Sequence, residues 1–173
     1  YADSRGLTGL SPFLKFSDDD PKYHNRLIIP YVFDGELVGW SGRDITGKSK
    51  SRYLSMRPQN FIFNVDPFLS EQREIMVVCE GELDAAKLDC VALMGSNVTP
   101  EQAYFIETMK KRVILCPDPD KPGKALVDKA LALGWEVSFP PWLKQGFDVD
   151  DAINKYGRLL TLRSIVKYAT SNS

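Results

Sequence analysis

Ile75-Met76-Val77-Val78-Cys79-Glu80-Gly81-Glu82-Leu83-Asp84 opens with a five-residue apolar run and breaks abruptly into acid. A continuous apolar run of this length is the pattern of a strand buried on both faces, as in a parallel sheet. Gly81 predicts a sharp strand-to-helix turn, after which Glu80 and Asp84 stand one helical turn apart. The same rhythm recurs downstream. Cys90-Val91-Ala92-Leu93-Met94, Arg112-Val113-Ile114-Leu115-Cys116 and Glu136-Val137-Ser138-Phe139 read as further strands. Helical segments over 82–89, from 100 to about 111, 123–133, 148–156 and 159–169 alternate with them or follow the last. Thr99-Pro100-Glu101-Gln102 marks one helix start, with Thr as N-cap, Pro in the first turn and Gln placed to close a capping box. Gly134 and Gly157 are helix stops. This order predicts an α/β fold, a mostly parallel sheet flanked by helices.

In such sheets, sites form beyond the carboxyl ends of the strands. Three acidic clusters are expected there: Glu80 with Asp84, Asp118-Pro119-Asp120, and Asp148-Val149-Asp150-Asp151. Singly, each has an ordinary explanation as first-turn acids favoured by the helix dipole, a turn before a helix, or an N-cap with solvated acids. Together they are costly, because carboxylates without neutralising bases repel one another. The usual reason to gather them is to hold a hard divalent cation, Mg²⁺ or Mn²⁺, for phosphate chemistry.

The 173 residues fit one domain with a smaller subdomain, and 43% hydrophobic against 26% charged residues leaves room for a sizeable core. A net charge of -1 excludes a uniformly basic nucleic-acid coat. Cys79, Cys90 and Cys116 sit in apolar runs with no CxxC pair. They read as core residues of a reducing, cytoplasmic compartment rather than zinc ligands or disulfides. His24, the single histidine, reads as a surface residue. No run is long enough to span a membrane and no signal peptide is visible. A chain opening on Tyr1 reads as a piece of a longer protein.

Residues 1–25 are polar and irregular. Arg26–Phe33, a turn at Asp34-Gly35, and Glu36–Trp40 then predict a β-hairpin, with Pro30 suggesting an edge strand. A basic loop and a short Tyr53-Leu54-Ser55 segment follow. From Arg43 to Arg57, Lys48, Lys50 and Arg52 add to the two arginines against Asp44 alone. Gly42-Arg43-Asp44-Ile45-Thr46-Gly47-Lys48-Ser49 matches the GxxxxGK[ST] phosphate-loop pattern. That motif needs a following helix to present its amides. Here 50–59 is polar, contains Pro58 and has no helical period, so the lysines read as point charges on a loop.

Glu80-Gly81-x-x-Asp84, Asp118-x-Asp120 with Gly123, and Asp148-x-Asp150 resemble the Toprim domain of bacterial-type primases, topoisomerases and some nucleases. Arg26-Leu27-Ile28-Ile29-Pro30, the Asp-Gly hairpin, Gly42-Arg43, Arg52-Tyr53-Leu54-Ser55 and Phe61-Ile62-Phe63-Asn64 narrow the resemblance to the DnaG-type primase catalytic core. The match covers about 26–157. It implies a basic α+β subdomain over 1–72, a Toprim domain over 73–157 and a C-terminal helix over 158–173. Arg52, Ser55, Phe147 and Val149 stand where that pattern usually has Lys, Asn, Lys and Pro, which suggests a divergent, viral type of member.

The resemblance implies a DNA-directed RNA polymerase that lays short RNA primers on single-stranded DNA from nucleoside triphosphates, giving an RNA–DNA product. By it, Glu80, Asp118 and Asp120 are catalytic. Those three with Asp148 and Asp150 hold Mg²⁺ or Mn²⁺. Arg26, Arg43, Lys48, Lys50, Arg52, Tyr53 and Asp84 serve nucleotide or template. A replicative helicase and a zinc-binding module are the expected partners outside this chain. The alternatives are a Toprim nuclease or topoisomerase fragment, separated by DNA cleavage, and a non-catalytic nucleic-acid-binding scaffold, separated by failure to bind Mn²⁺.

Overall fold

The computed structural model describes residues 7, 15–17, 21–70, 72–119 and 123–171. By contacts the chain divides into two units, 1–59 and 60–173. Residues 60–72 therefore pack with the second unit. Phe63 and Ala92 there exchange backbone hydrogen bonds of 2.9 and 3.2 Å.

The described part of the first unit is an antiparallel sheet in the order β1-β2-β3-β4, with β1 Lys15–Ser17, β2 Arg26–Phe33, β3 Glu36–Asp44 and β4 Tyr53–Met56. The predicted hairpin is present. Asp34 (φ 51°) and Gly35 (φ 76°) both take positive φ, the turn geometry whose twist suits a two-residue hairpin. Pro30 is not on an edge strand, because β2 lies between β1 and β3. It is accommodated because β1 pairs only with Arg26–Ile28. Proline's missing N–H therefore costs no bond to β1. β3 runs four residues past the expected end at Trp40. Gly39 permits its pairing with β4, since a Cβ there would lie 2.2 Å from the Met56 carbonyl oxygen. No helix follows Ser49; β4 does, so the phosphate-loop pattern lacks its helix.

The second unit is the expected α/β sheet. Strands β5 Ile75–Cys79, β6 Val91–Ala92, β7 Arg112–Leu115, β8 Glu136–Ser138 and β9 Ala169–Thr170 lie in the order β6-β5-β7-β8-β9. All pairs are parallel except β8–β9. Helices α1 Glu82–Leu88, α2 Pro100–Thr108, α3 Gly123–Ala132, α4 Val149–Tyr156 and α5 Arg158–Lys167 connect and flank them. Alternation along the strands sorts the core into two faces. Met76, Val78, Val113, Leu115 and Val137 pack with Ala103 and Ile106 of α2 and Leu126 and Ala130 of α3. The intervening Val77, Cys79 and Ile114 are buried toward the other face. On that side α1, α4 and α5 pack together, and the Ser138 hydroxyl donates to the Ile165 carbonyl at 2.7 Å.

The α2 capping box forms as expected, but Gln102 does more than cap. Its Oε1 accepts from the Thr99 N–H at 3.0 Å, and its Nε2 donates to the Phe61 and Leu93 carbonyls, each at 3.1 Å. Thr99→Ala is expected to cost about 1 kcal/mol in urea unfolding. Gln102→Leu, which takes a donor from two buried carbonyls, should cost about 2 kcal/mol or more. Equal costs would mean that Gln102 acts as a cap alone.

Candidate active site

β5 and β7 run parallel with Val78 opposite Leu115, so their carboxyl ends reach the same sheet edge. Glu80 leaves the first and Asp118 the second, and the Asp118 backbone N–H donates to Glu80 Oε1 at 3.2 Å. Asp84 stands in the first turn of α1. Gly81 has φ -101°, an ordinary extended conformation, so its value lies in space rather than in the expected sharp turn. A Cβ there would sit 3.1 Å from Asp84 Oδ2.

The third cluster reaches the site by a longer route than the first two. β8 ends at Ser138, and a one-turn segment over Leu143–Gln145 precedes α4. Asp148 caps α4, accepting from the Asp151 N–H at 2.7 Å. Asp150 is turned inward and is 5% exposed. Its Oδ1 is paired with the Lys87 ammonium of α1 and accepts from Asn154 Nδ2 at 3.3 Å. Asp120 lies outside the described residues.

Burial first, then the charges of Asp118, Asp148 and Asp150, push the Asp84 carboxyl up from 3.8 to about 7, against one opposing hydrogen bond from the Asp150 backbone. Asp118 of the second cluster and Asp148 and Asp150 of the third thus lie close enough for their charges to act on Asp84 of the first. Among the described residues, no three His, Cys, Asp or Glu side chains form a ready-made metal ligand set. The donors present are hard carboxylate oxygens whose mutual repulsion a divalent cation would relieve, so their chemistry fits Mg²⁺ or Mn²⁺. The thiols beneath do not join them. Cys79 Sγ lies 3.4 Å from Cys90 Sγ, and all three cysteines are buried. The hydrogen bond to Cys90 and burial raise the Cys79 thiol, and burial raises that of Cys116.

In the first unit the basic candidates separate by burial. Arg26 and Arg43 are 5% and 6% exposed, whereas Lys48, Lys50, Arg52 and Tyr53 are exposed. Arg43 donates to the Tyr53 hydroxyl and lies 4.9 Å from its ring centroid, across the β3–β4 pair. Arg43, Asp44, Ile45, Thr46, Gly47, Ser49 and Arg52 line a cavity of about 470 Å³. Sequence reasoning missed Lys87. Its one signal is a lysine on the inward face of a short helix, which demands a buried partner.

Residues 77–153 match the Toprim-like family model. The chain is 30% identical over 174 residues to the DNA primase of Listeria monocytogenes, across 87% of this chain and 28% of that relative. It spans about a quarter of the length of the curated primases it matches. The solved structure of the DnaG catalytic core shares the fold with a TM-score of 0.77 at 18% identity, over 98% of this chain and 71% of that one. The DnaG primase catalytic domain bound to ssDNA does so with a TM-score of 0.69 at 19% identity, over 98% and 60%.

A carboxyl raised to about 7 binds its proton more tightly folded than unfolded. Its charging penalty is absent near pH 4, grows as pH rises toward 7, and is constant above. Asp84→Asn in metal-free buffer should therefore raise Tm at pH 8, by a gain on the order of a few kcal/mol, and change it little at pH 4. A pH-independent effect would contradict a carboxyl raised by burial and its acidic neighbours. Lys87→Met leaves Asp150 buried without its cation and should cost about 3–5 kcal/mol in denaturant unfolding. A neutral result would mean the pair contributes nothing.

Proposed function

We propose that this chain, which carries a Toprim-like domain over residues 77–153 and is homologous to DNA primases, is a primase catalytic core. In this reading it is a template-directed nucleotidyltransferase that joins ribonucleoside triphosphates into short RNA primers on single-stranded DNA. The observation that carries the proposal is the convergence of Glu80, Asp84, Asp118 and Asp148 at the carboxyl edge of the parallel sheet, inside the matched segment.

Glu80, Asp118 and Asp148, with Asp120, would hold Mg²⁺ or Mn²⁺. Such an ion supplies charge neutralisation to the phosphoryl oxygens and alignment of the reacting groups. Asp150 would reach the ion only by giving up Lys87. Glu80 is oriented by the Asp118 amide and serves at the attacking hydroxyl, as ligand or as proton acceptor. Asp84 lies at the rim, its carboxyl pushed up to about 7 by burial and its acidic neighbours. The exposed Lys48, Lys50 and Arg52 bind phosphates of nucleotide or template as point charges and a fork. A zinc-binding module and a replicative helicase outside this chain, the RNA–DNA product and a cytoplasmic location complete the reading. Among the described residues no helix is long and apolar enough to cross a membrane.

Primer synthesis on single-stranded DNA with nucleoside triphosphates and Mg²⁺ or Mn²⁺ tests it. Glu80→Gln and Asp118→Asn should each lower synthesis by about 100-fold or more. Both variants should weaken Mn²⁺ binding while the circular dichroism spectrum is kept. Near-normal activity in either would remove the metal assignment. No product from the intact protein with zinc module and helicase would sink the primase reading. DNA cleavage instead would favour a Toprim nuclease or topoisomerase fragment, and absence of Mn²⁺ binding a scaffold.

A further inference from the structure

Among the described residues of the first unit, Arg26 is a buried cation whose guanidinium is turned into the protein. Its guanidinium donates from Nη1 to the Gly42 carbonyl at 2.9 Å and the Arg52 carbonyl at 3.5 Å. From Nη2 it donates to Ser49 Oγ at 2.7 Å and the Ser51 carbonyl at 3.0 Å. One buried fork thus ties the last residues of β3 to the start of β4, across the loop between them. From the other side Asp44 holds the same loop. Its carboxylate accepts from the Thr46 N–H at 3.3 Å, the Thr46 hydroxyl at 2.9 Å and the Ser49 N–H at 3.3 Å. Lys48 N–H donates to Thr46 Oγ1 at 3.2 Å and Ser51 N–H to Ser49 Oγ at 3.3 Å. The base of the loop is closed by Asp44 N–H to the Arg52 carbonyl at 2.9 Å.

Two consequences follow. The amides that a phosphate loop would turn toward its ligand are turned here toward Asp44, Thr46 and Ser49, so the backbone is spent on shape. Side chains are left to meet the ligand, and Lys48, Lys50 and Arg52 are exposed on the loop so formed. Arg26 itself, 5% exposed, has carbonyls and a hydroxyl as acceptors and no carboxylate among the described residues. A buried cation without an anion is costly, and an incoming anion nearby offsets that cost.

We propose that Arg26 is a positioning residue: it fixes loop 45–52 in the shape that presents Lys48, Lys50 and Arg52 to phosphate, and does not itself touch the ligand. This rests on the phosphate-binding part of the function proposed above and replaces the sequence expectation that Arg26 contacts nucleotide or template. The two sources of phosphate, a DNA backbone and a triphosphate, share this chemistry.

The test is binding of oligo-dT and, in a second arm, inorganic tripolyphosphate by the full chain across a salt series. Arg26→Lys keeps the charge and loses the fork. Ser49→Ala removes one bond of the guanidinium and the acceptor of the Ser51 amide, and leaves the guanidinium in place. Both should weaken binding, Arg26→Lys by about tenfold, with little change in the slope of log affinity against log salt. That slope counts direct phosphate contacts at about 0.7 per contact on single strands. Arg52→Ala and Lys48→Ala should lower the slope by about that amount. Hydrogen exchange at the amides of 46–51 should quicken in Arg26→Lys. A loss confined to one arm supports the proposal and assigns the source. Wild-type affinity in Arg26→Lys, or a slope lowered as in Arg52→Ala, overturns it, and so does a wild type that binds neither probe. Should Arg26→Lys fail to fold, Ser49→Ala decides, with wild-type affinity and exchange counting against the clamp. Primer synthesis is not read, so a chain that binds both probes yet makes no primer refutes the polymerase reading and leaves this one standing.

Discussion

The parallel register between β5 and β7 is the constraint on which the rest of the second unit depends. The Cys116 N–H bonded to the Val78 carbonyl at 2.9 Å continues that ladder one residue past β7. Glu80 and Asp118 each lie two residues beyond the hydrogen-bonded Val78 and Cys116 and emerge at the same edge. A one-residue slip would turn Met76, Val78, Val113 and Leu115 away from α2 and α3. Burial of that apolar face therefore holds the two acids together against their own repulsion.

Each carboxylate at the edge is managed by different means. Glu80 accepts a backbone amide. Asp148 sits at a helix start, where amides and dipole favour negative charge. Asp150 has an internal ammonium from Lys87. Asp84 accepts one hydrogen bond from the Asp150 backbone, but burial and the neighbouring charges outweigh it and push its carboxyl up to about 7. Charge concentration and fold stability are thus opposed at Asp84.

Much of this was legible in the sequence because the signals were local. Continuous apolar runs marked β5 and β7. The Thr99–Gln102 box marked the start of α2, and Asp34-Gly35 marked the hairpin. What stayed hidden depended on tertiary context. Gly42 and Arg43 look like solvated residues after a strand, yet they are buried in β3, where Arg26 and Tyr53 supply partners. β9 was concealed at the end of a helical pattern, since two residues become a strand only when β8 lies alongside. α2 stops at Thr108 rather than near Lys111, where Lys110 takes φ 53°. The acidic site was found by counting carboxylates along the chain. Counting could not show that Asp150 is turned toward a lysine 63 residues away, nor that two of the arginines face inward.

The edges of the α/β sheet have a bearing on solubility. A parallel sheet rich in Val, Ile and Leu is a template for pairing with other chains wherever a long strand is left uncovered. Here the strands with the longest apolar runs, β5 and β7, are interior. The outermost strands, β6 and β9, are two residues each. β6 is further covered by its bridge to Phe63, and β9 approaches β8 antiparallel to its neighbours. Among the described residues, both margins of this sheet are made by two-residue strands, which give a foreign strand little to extend.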